Sequence, residues 1–234
     1  MADVEQNGGT RNLTFGEARA RAGFRVAAAS GLAGGPIELE FFAEIVGGGM
    51  RYLFVTADRA RYRPGDFSFA ATFDAKPLSD PFADVPDLGG PAGVVEIAAG
   101  RPWHQPLVLN QFVRLEDTLD LLAPGASGRL VIDCRRLLWL AADEDAALAP
   151  ATDAPLVEVR LALELRRDDA QLAALVERFV AEVRDGPPEQ RERPLKLLLS
   201  LRAPLAVERW RTLVDHPDPV VAGRVRQSLP SGGR

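Results

Sequence analysis

Residues 157–183, VEVRLALELRRDDAQLAALVERFVAEV, carry two rhythms in one unbroken run. As far as Leu165, the apolar residues Val157, Val159, Leu161, Leu163 and Leu165 alternate with Glu158, Arg160, Ala162, Glu164 and Arg166. Strand side chains point to opposite faces in turn, so the alternation predicts a strand with one dry face. From Leu172 the spacing changes. Leu172, Leu175, Val176, Phe179, Val180 and Val183 fall on one stripe of an α-helix. Asp168 or Asp169 is placed to cap it, and Asp185-Gly186-Pro187-Pro188 ends it. The chain divides at this point into strands before and helices after.

Working back from the transition, PIELEFFAEI repeats the strand rhythm. Ile37, Leu39, Phe41, Ala43 and Ile45 form a dry face, and Glu38, Glu40, Phe42 and Glu44 a mostly wet one. Further strands are expected at Arg51–Thr56, Phe67–Phe73, Val94–Ile97, Pro106–Val113 and Arg129–Leu140. Gly47-Gly48-Gly49, Pro64-Gly65-Asp66, Asp87–Pro91 and Pro124-Gly125 separate them with turn chemistry. No helical pattern intervenes, so the pairing is expected to be antiparallel, because parallel strands need long crossovers. Working forward, Leu195–Leu201 opens a second helix behind Pro194. Val207, Trp210, Leu213 and Val214 mark a third, and Asp218-Pro219 starts a fourth through Val221, Val225 and Leu229.

The expected class is α+β. An antiparallel sandwich of seven or eight strands spans 23–166, and a bundle of four short helices spans 167–229. Residues 1–22 read as a flexible lead-in and 230–234 as disordered. In strand number and layout the first region resembles immunoglobulin-like sandwiches. It departs from the antibody pattern in having no second cysteine, and Ala126, Ser127 and Gly128 follow Pro124-Gly125 where a tyrosine would stand. In the tail, LVDHPDPVVAGRVRQSL (Leu213–Leu229) is similar to the junction of two HEAT or armadillo-type repeats. Ala222 replaces the usual arginine and Val225 the small residue that follows. That resemblance implies packing or protein interaction, not catalysis.

Composition narrows the function. Over residues 166–234 there are 13 Arg/Lys against 10 Asp/Glu, a net +3, while the preceding residues carry −8. An acidic bulk argues against a nucleic-acid partner, since phosphate neutralisation needs a basic face. No run of about 18 apolar residues exists to cross a membrane, and the first residues hold no apolar signal core. Cys134 is the single cysteine, so no intrachain disulfide can form and a cytoplasmic setting is expected. Nearly all positive charge is arginine, which reads as GC-rich coding bias.

Chemistry-bearing residues are sparse. The two histidines, His104 and His216, stand in no zinc-ligand spacing. His216 is placed to complement a helix dipole. Trp103-His104 offers either ordinary packing or one wall of a ligand cleft. Cys134 shares a strand face with Leu130 and Ile132, which points its thiol into the core. Gly47-Gly48-Gly49 lacks the Lys-Ser/Thr and helix of a phosphate loop. Carboxylates cluster at Asp80–Asp87, at Glu116, Asp117 and Asp120, and at Asp143, Glu144 and Asp145, where calcium or paired-acid hydrolysis is conceivable but no ligand spacing selects it. Arg59, Arg61 and Arg63, with Tyr62 and joined by Arg51, would project from one extended face towards an acidic partner. A charged edge strand, guarded against aggregation, accounts for the same stripe.

The reading is therefore a non-enzymatic protein-interaction or adaptor module within a larger complex, with no cofactor or metal. The expected partner is a protein, in an oligomer or as a subunit of a complex. The alternatives are a structural subunit of an assembly and an enzyme of unrecognised type using acidic loop residues.

Overall fold

The computed structural model describes residues 8–56, 64–83, 92–148 and 154–229. In chain order the strands are β1 (Gly8–Phe15), β2 (Ala18–Ala29), β3 (Ile37–Gly47), β4 (Arg51–Thr56), β5 (Phe67–Phe73) and β6 (Lys76–Leu78). They continue with β7 (Ala92–Ile97), β8 (Trp103–Val108), β9 (Ser127–Leu137), β10 (Leu140–Ala141) and β11 (Leu156–Arg166). The helices are α1 (Asp117–Leu121), α2 (Glu144–Ala147), α3 (Asp169–Asp185), α4 (Glu192–Ser200), α5 (Pro204–Trp210) and α6 (Pro219–Ser228). The class is α+β. Among the described residues no helix is long and apolar enough to cross a membrane.

The chain forms two compact units. The first comprises the residues up to Ala29, Ile37–Val113 and Arg129–Glu164. Its sheets run in the orders β1-β2-β3-β8, β10-β4-β7 and β11-β9-β5-β6. The strand pairs with a determined register are antiparallel. One face of β3 buries Ile37, Leu39, Phe41, Ala43 and Ile45, as the alternation requires. Beside it β2 buries Ala18, Ala20, Ala22 and Phe24. Aromatic rings fill the space between the first and third sheets. Phe24 and Phe41 lie 5.0 Å apart, Phe41 and Phe67 5.5 Å, and Phe69 and Phe112 4.7 Å, in tilted or edge-on pairs. Phe24 and Phe41 are fully buried, and burial of such a side chain contributes about 1.5–3 kcal/mol.

The lead-in expected over 1–22 needs correction from Gly8 onward, because Gly8–Phe15 and Ala18–Ala29 are paired strands; residues 1–7, and 230–234 read as disordered, lie outside the described residues. The period of two was present in ARARAGF, but the buried partners of the arginines are alanines, which give little hydropathy contrast. Two one-turn helices, α1 and α2, also lie among the later strands where none was expected. The α2 turn starts because the Asp143 side chain accepts the Ala146 N–H at 2.8 Å. Neither is long enough to make a parallel crossover.

The second unit comprises Ser30–Pro36, Arg114–Gly128 and the chain from Leu165 onward. The boundary read between 166 and 167 is thus amended by two borrowed segments. Their attachment is polar. Ala33 N–H donates to Arg166 O at 2.9 Å, Gly34 N–H to Thr118 Oγ1 at 3.0 Å, and Arg167 Nη1 to Leu119 O and Leu122 O at 2.7 and 2.9 Å. Asp168 caps α3 by accepting the Gln171 N–H, and Asp218 caps α6 by accepting that of Val220. The α3 stripe buries Leu172, Val176, Phe179, Val180 and Val183. Trp210 is buried and donates its indole N–H towards Leu201 O at 3.4 Å.

Candidate functional site

Because β2 and β3 alternate in register, the residues opposite their dry face form ladders across the first sheet. Arg25 stands opposite Glu40, Gly23 opposite Phe42, and Arg21 opposite Glu44. Thr10 on β1 extends the middle rung beyond Gly23, and His104 on β8 extends it beyond Phe42. The rung thus reads Thr10, Gly23, Phe42, His104. Glycine supplies no side chain beside Phe42, and a trough of about 380 Å³ opens there between the arms of Arg21 and Arg25. Gly23 is required by close approach. A Cβ at that position would sit 2.0 Å from the Gly9 carbonyl oxygen.

The trough is charged but internally matched. Arg21 pairs with Glu44, and Arg25 pairs with Glu40. His104 Nδ1 lies 3.1 Å from Glu40 Oε1, and the Arg25 guanidinium carbon lies 5.9 Å from the Phe42 ring centroid. Partial burial opposes ionisation of Glu40. The contacts from His104 and Arg25, with the charge of Arg25, outweigh it and hold the carboxyl below its ordinary value. Exposure is unequal within each pair. The arginine side chains are 52% and 55% exposed, their glutamates 19% and 22%. An approaching molecule therefore meets guanidinium edges, with the carboxylates beneath them. His104 beside Glu40 has the form of a base and its orienting acid. The hydroxyl on that rung, on Thr10, is three strands away, or about 14 Å, out of reach for nucleophilic catalysis.

The other face of the same sheet holds a second cation. Arg136 on β9 is completely buried, and its guanidinium carbon lies 4.6 Å from the Phe41 ring centroid, 4.7 Å from Phe67 and 4.8 Å from Trp103. Nη2 donates to Phe54 O at 3.0 Å and lies 2.7 Å from Asp66 Oδ2. Nε and Nη1 have no hydrogen-bond acceptor among the described residues, so ring faces stand where acceptors would be. Burial pushes the guanidinium down to about 10, opposed by Asp66, and it stays cationic at neutral pH. Thr56 Oγ1 donates to the other Asp66 oxygen at 2.7 Å. The sequence signal for this site was parity, since Arg136 falls on the dry face of Cys134.

Of the residues read as an arginine stripe, Arg51 lies at the start of β4 and donates to Met50 O at 2.8 Å. Arg59, Arg61, Tyr62 and Arg63 lie outside the described residues, as does part of the Asp80–Asp87 cluster. Trp103 and His104 take opposite faces of β8 and do not share a cleft. The Cys134 thiol is buried, and burial, then the charge of Asp133, pushes it far up. His216 lies just before α6, and its Nδ1 accepts the Asp218 N–H at 3.0 Å. Burial raises Glu116, with Asp117 adding to it against Arg202 and Arg114. Among the described residues no three His, Cys, Asp or Glu side chains are grouped to hold a metal ion.

No protein-family model matches this chain, and no curated protein matches it in sequence.

Proposed function

We propose that the protein is a non-enzymatic interaction module, and that the outer face of β1-β2-β3-β8 is its partner face. On this reading the first unit is an immunoglobulin-like sandwich and the helices from α3 to α6 are a HEAT-like tail, working in the cytoplasm within a larger complex. One observation carries it: an open trough whose charged groups are already matched to one another, with arginine donors uppermost. Such a surface is suited to holding a partner. Catalysis would require a nucleophile or labile proton that the rung does not bring to His104.

The test is co-purification from the native host with the unaltered chain and with Arg25→Glu, which reverses one arm without touching the core. The reading expects a partner that is retained by the first and lost by the second, with both equally folded by circular dichroism. Retention of the same partner by both, or a lone monomer by light scattering in every extract, overturns it. A structural subunit is the second reading. It is favoured by Leu137 and Leu156, 59% and 47% exposed, at strand ends joined by the Leu138 N–H to Pro155 O bond of 2.9 Å. It predicts self-association or insolubility of the isolated chain, relieved by Leu137→Ser.

A further inference from the structure

We propose that the trough takes an extended acidic peptide segment of a partner protein, with two carboxylates four residues apart and an apolar side chain midway between them. This rests on the reading that the outer sheet face is the partner face, and it names what binds there. Arg21 and Arg25 are four residues apart on β2, and the pairing of Ala20 to Val26 with β3 has no bulge. Their Cα atoms are therefore separated by about 13 Å. An extended peptide advances by the same rise and turns every second side chain to the same side. A segment lying along β2 and β3 then places acid, apolar and acid over Arg21, Phe42 and Arg25. The match follows from two strands sharing one period.

Charge and shape favour this occupant. The carboxylates of Glu40 and Glu44 lie beneath the guanidiniums and are engaged by them, so the surface offers donors and few free acceptors. Each glutamate also holds its arginine in place, which lowers the side-chain entropy lost when a second carboxylate binds. Beside Phe42 the floor at Gly23 is backbone, closed by the Gly9 carbonyl, so an apolar side chain would meet the half-buried Phe42 ring. The chain as a whole is acidic, net −5, so recognition depends on these short-range contacts and not on long-range attraction.

The probe is the labelled peptide Gly-Glu-Ala-Leu-Ala-Glu-Gly, titrated with the full chain and read by fluorescence anisotropy. Saturable binding is expected, weakened about tenfold by Arg21→Gln and by Arg25→Gln. Arg160→Gln, which alters an exposed arginine on another sheet, should leave it unchanged. A peptide of the same composition with adjacent glutamates should bind more weakly, and one with lysines in place of glutamates weakest. Absence of saturable binding, indifference to glutamate spacing, preference for the lysine peptide, or equal loss in Arg160→Gln overturns the proposal. Circular dichroism of each variant separates misfolding from lost contact. If the peptide fails while Arg25→Glu still sheds a co-purifying partner, the acidic-segment assignment falls and the partner face stands. If the partner is also retained, both fall.

Discussion

Phe41 and Phe42 are neighbours in sequence, and each belongs to a cluster of arginine, carboxylate and aromatic ring. Phe41 faces inward against Arg136, whose partner is Asp66, and Phe42 faces outward beneath Arg25, whose partner is Glu40. The ingredients are the same, and access to water is the difference. Inside, the guanidinium has lost its hydration and Asp66 compensates its charge, so the pair is a condition of folding that site. Outside, water screens the pair and leaves its donors available, so the same chemistry costs little stability and can be used for recognition. One sheet thus separates a structural cation from a binding cation by the pleat of a single residue.

Breaking the inner pair should have the largest effect. Asp66→Ala leaves a buried guanidinium uncompensated and should lower stability by about 3–5 kcal/mol in urea unfolding. If the charge is the cause, Arg136→Met combined with Asp66→Leu should recover most of that loss. Gly23→Ala comes next. Its methyl group meets the Gly9 carbonyl, and overpacking of this kind costs about 1–3 kcal/mol, visible as a lowered thermal midpoint.

Breaking the outer pair should separate stability from binding. Arg25→Gln should change stability by less than about 1 kcal/mol because its side chain is more than half exposed. Its effect belongs in peptide affinity. The smallest effect concerns acid. Glu40 is held below its ordinary value of 4.5, so its contribution to stability is complete above that value. The contribution is lost as pH falls through the lower folded value. Glu40→Gln should therefore flatten the acid limb of the stability curve below about pH 4.5, and leave the neutral-pH differences among other variants unchanged. A steeper limb would mean that the glutamate is not stabilised by Arg25 and His104.

The sequence disclosed elements where hydropathy contrast is large. The alternations at 37–45 and 157–165, the α3 stripe and the proline that opens α6 are all explicit there. It concealed β2, because its buried residues are mostly alanine. It concealed the second unit's borrowed segments too, which are tied by backbone carbonyls and a threonine hydroxyl that leave no periodic trace. The candidate site was half legible. Phe42 is visible as the apolar residue on an otherwise acidic strand face, while the parity that places Arg136 with Leu130, Ile132 and Cys134 carries no hydropathy signal of its own. What joined Phe42 to Gly23, Thr10 and His104 was strand register, and hydrogen bonding between distant segments fixes that. The densest run of arginines, at 59–63, carries the stronger local signal and lies outside the described residues.

The most direct test measures urea midpoint and acidic-peptide affinity together on Arg25→Gln and Asp66→Ala. Arg25→Gln should keep the midpoint and lose about tenfold in affinity. Asp66→Ala should drop the midpoint, with peptide binding near normal wherever the chain remains folded. A shared fall in midpoint with unaltered affinity in Arg25→Gln would mean that both faces of the sheet serve only to hold it together.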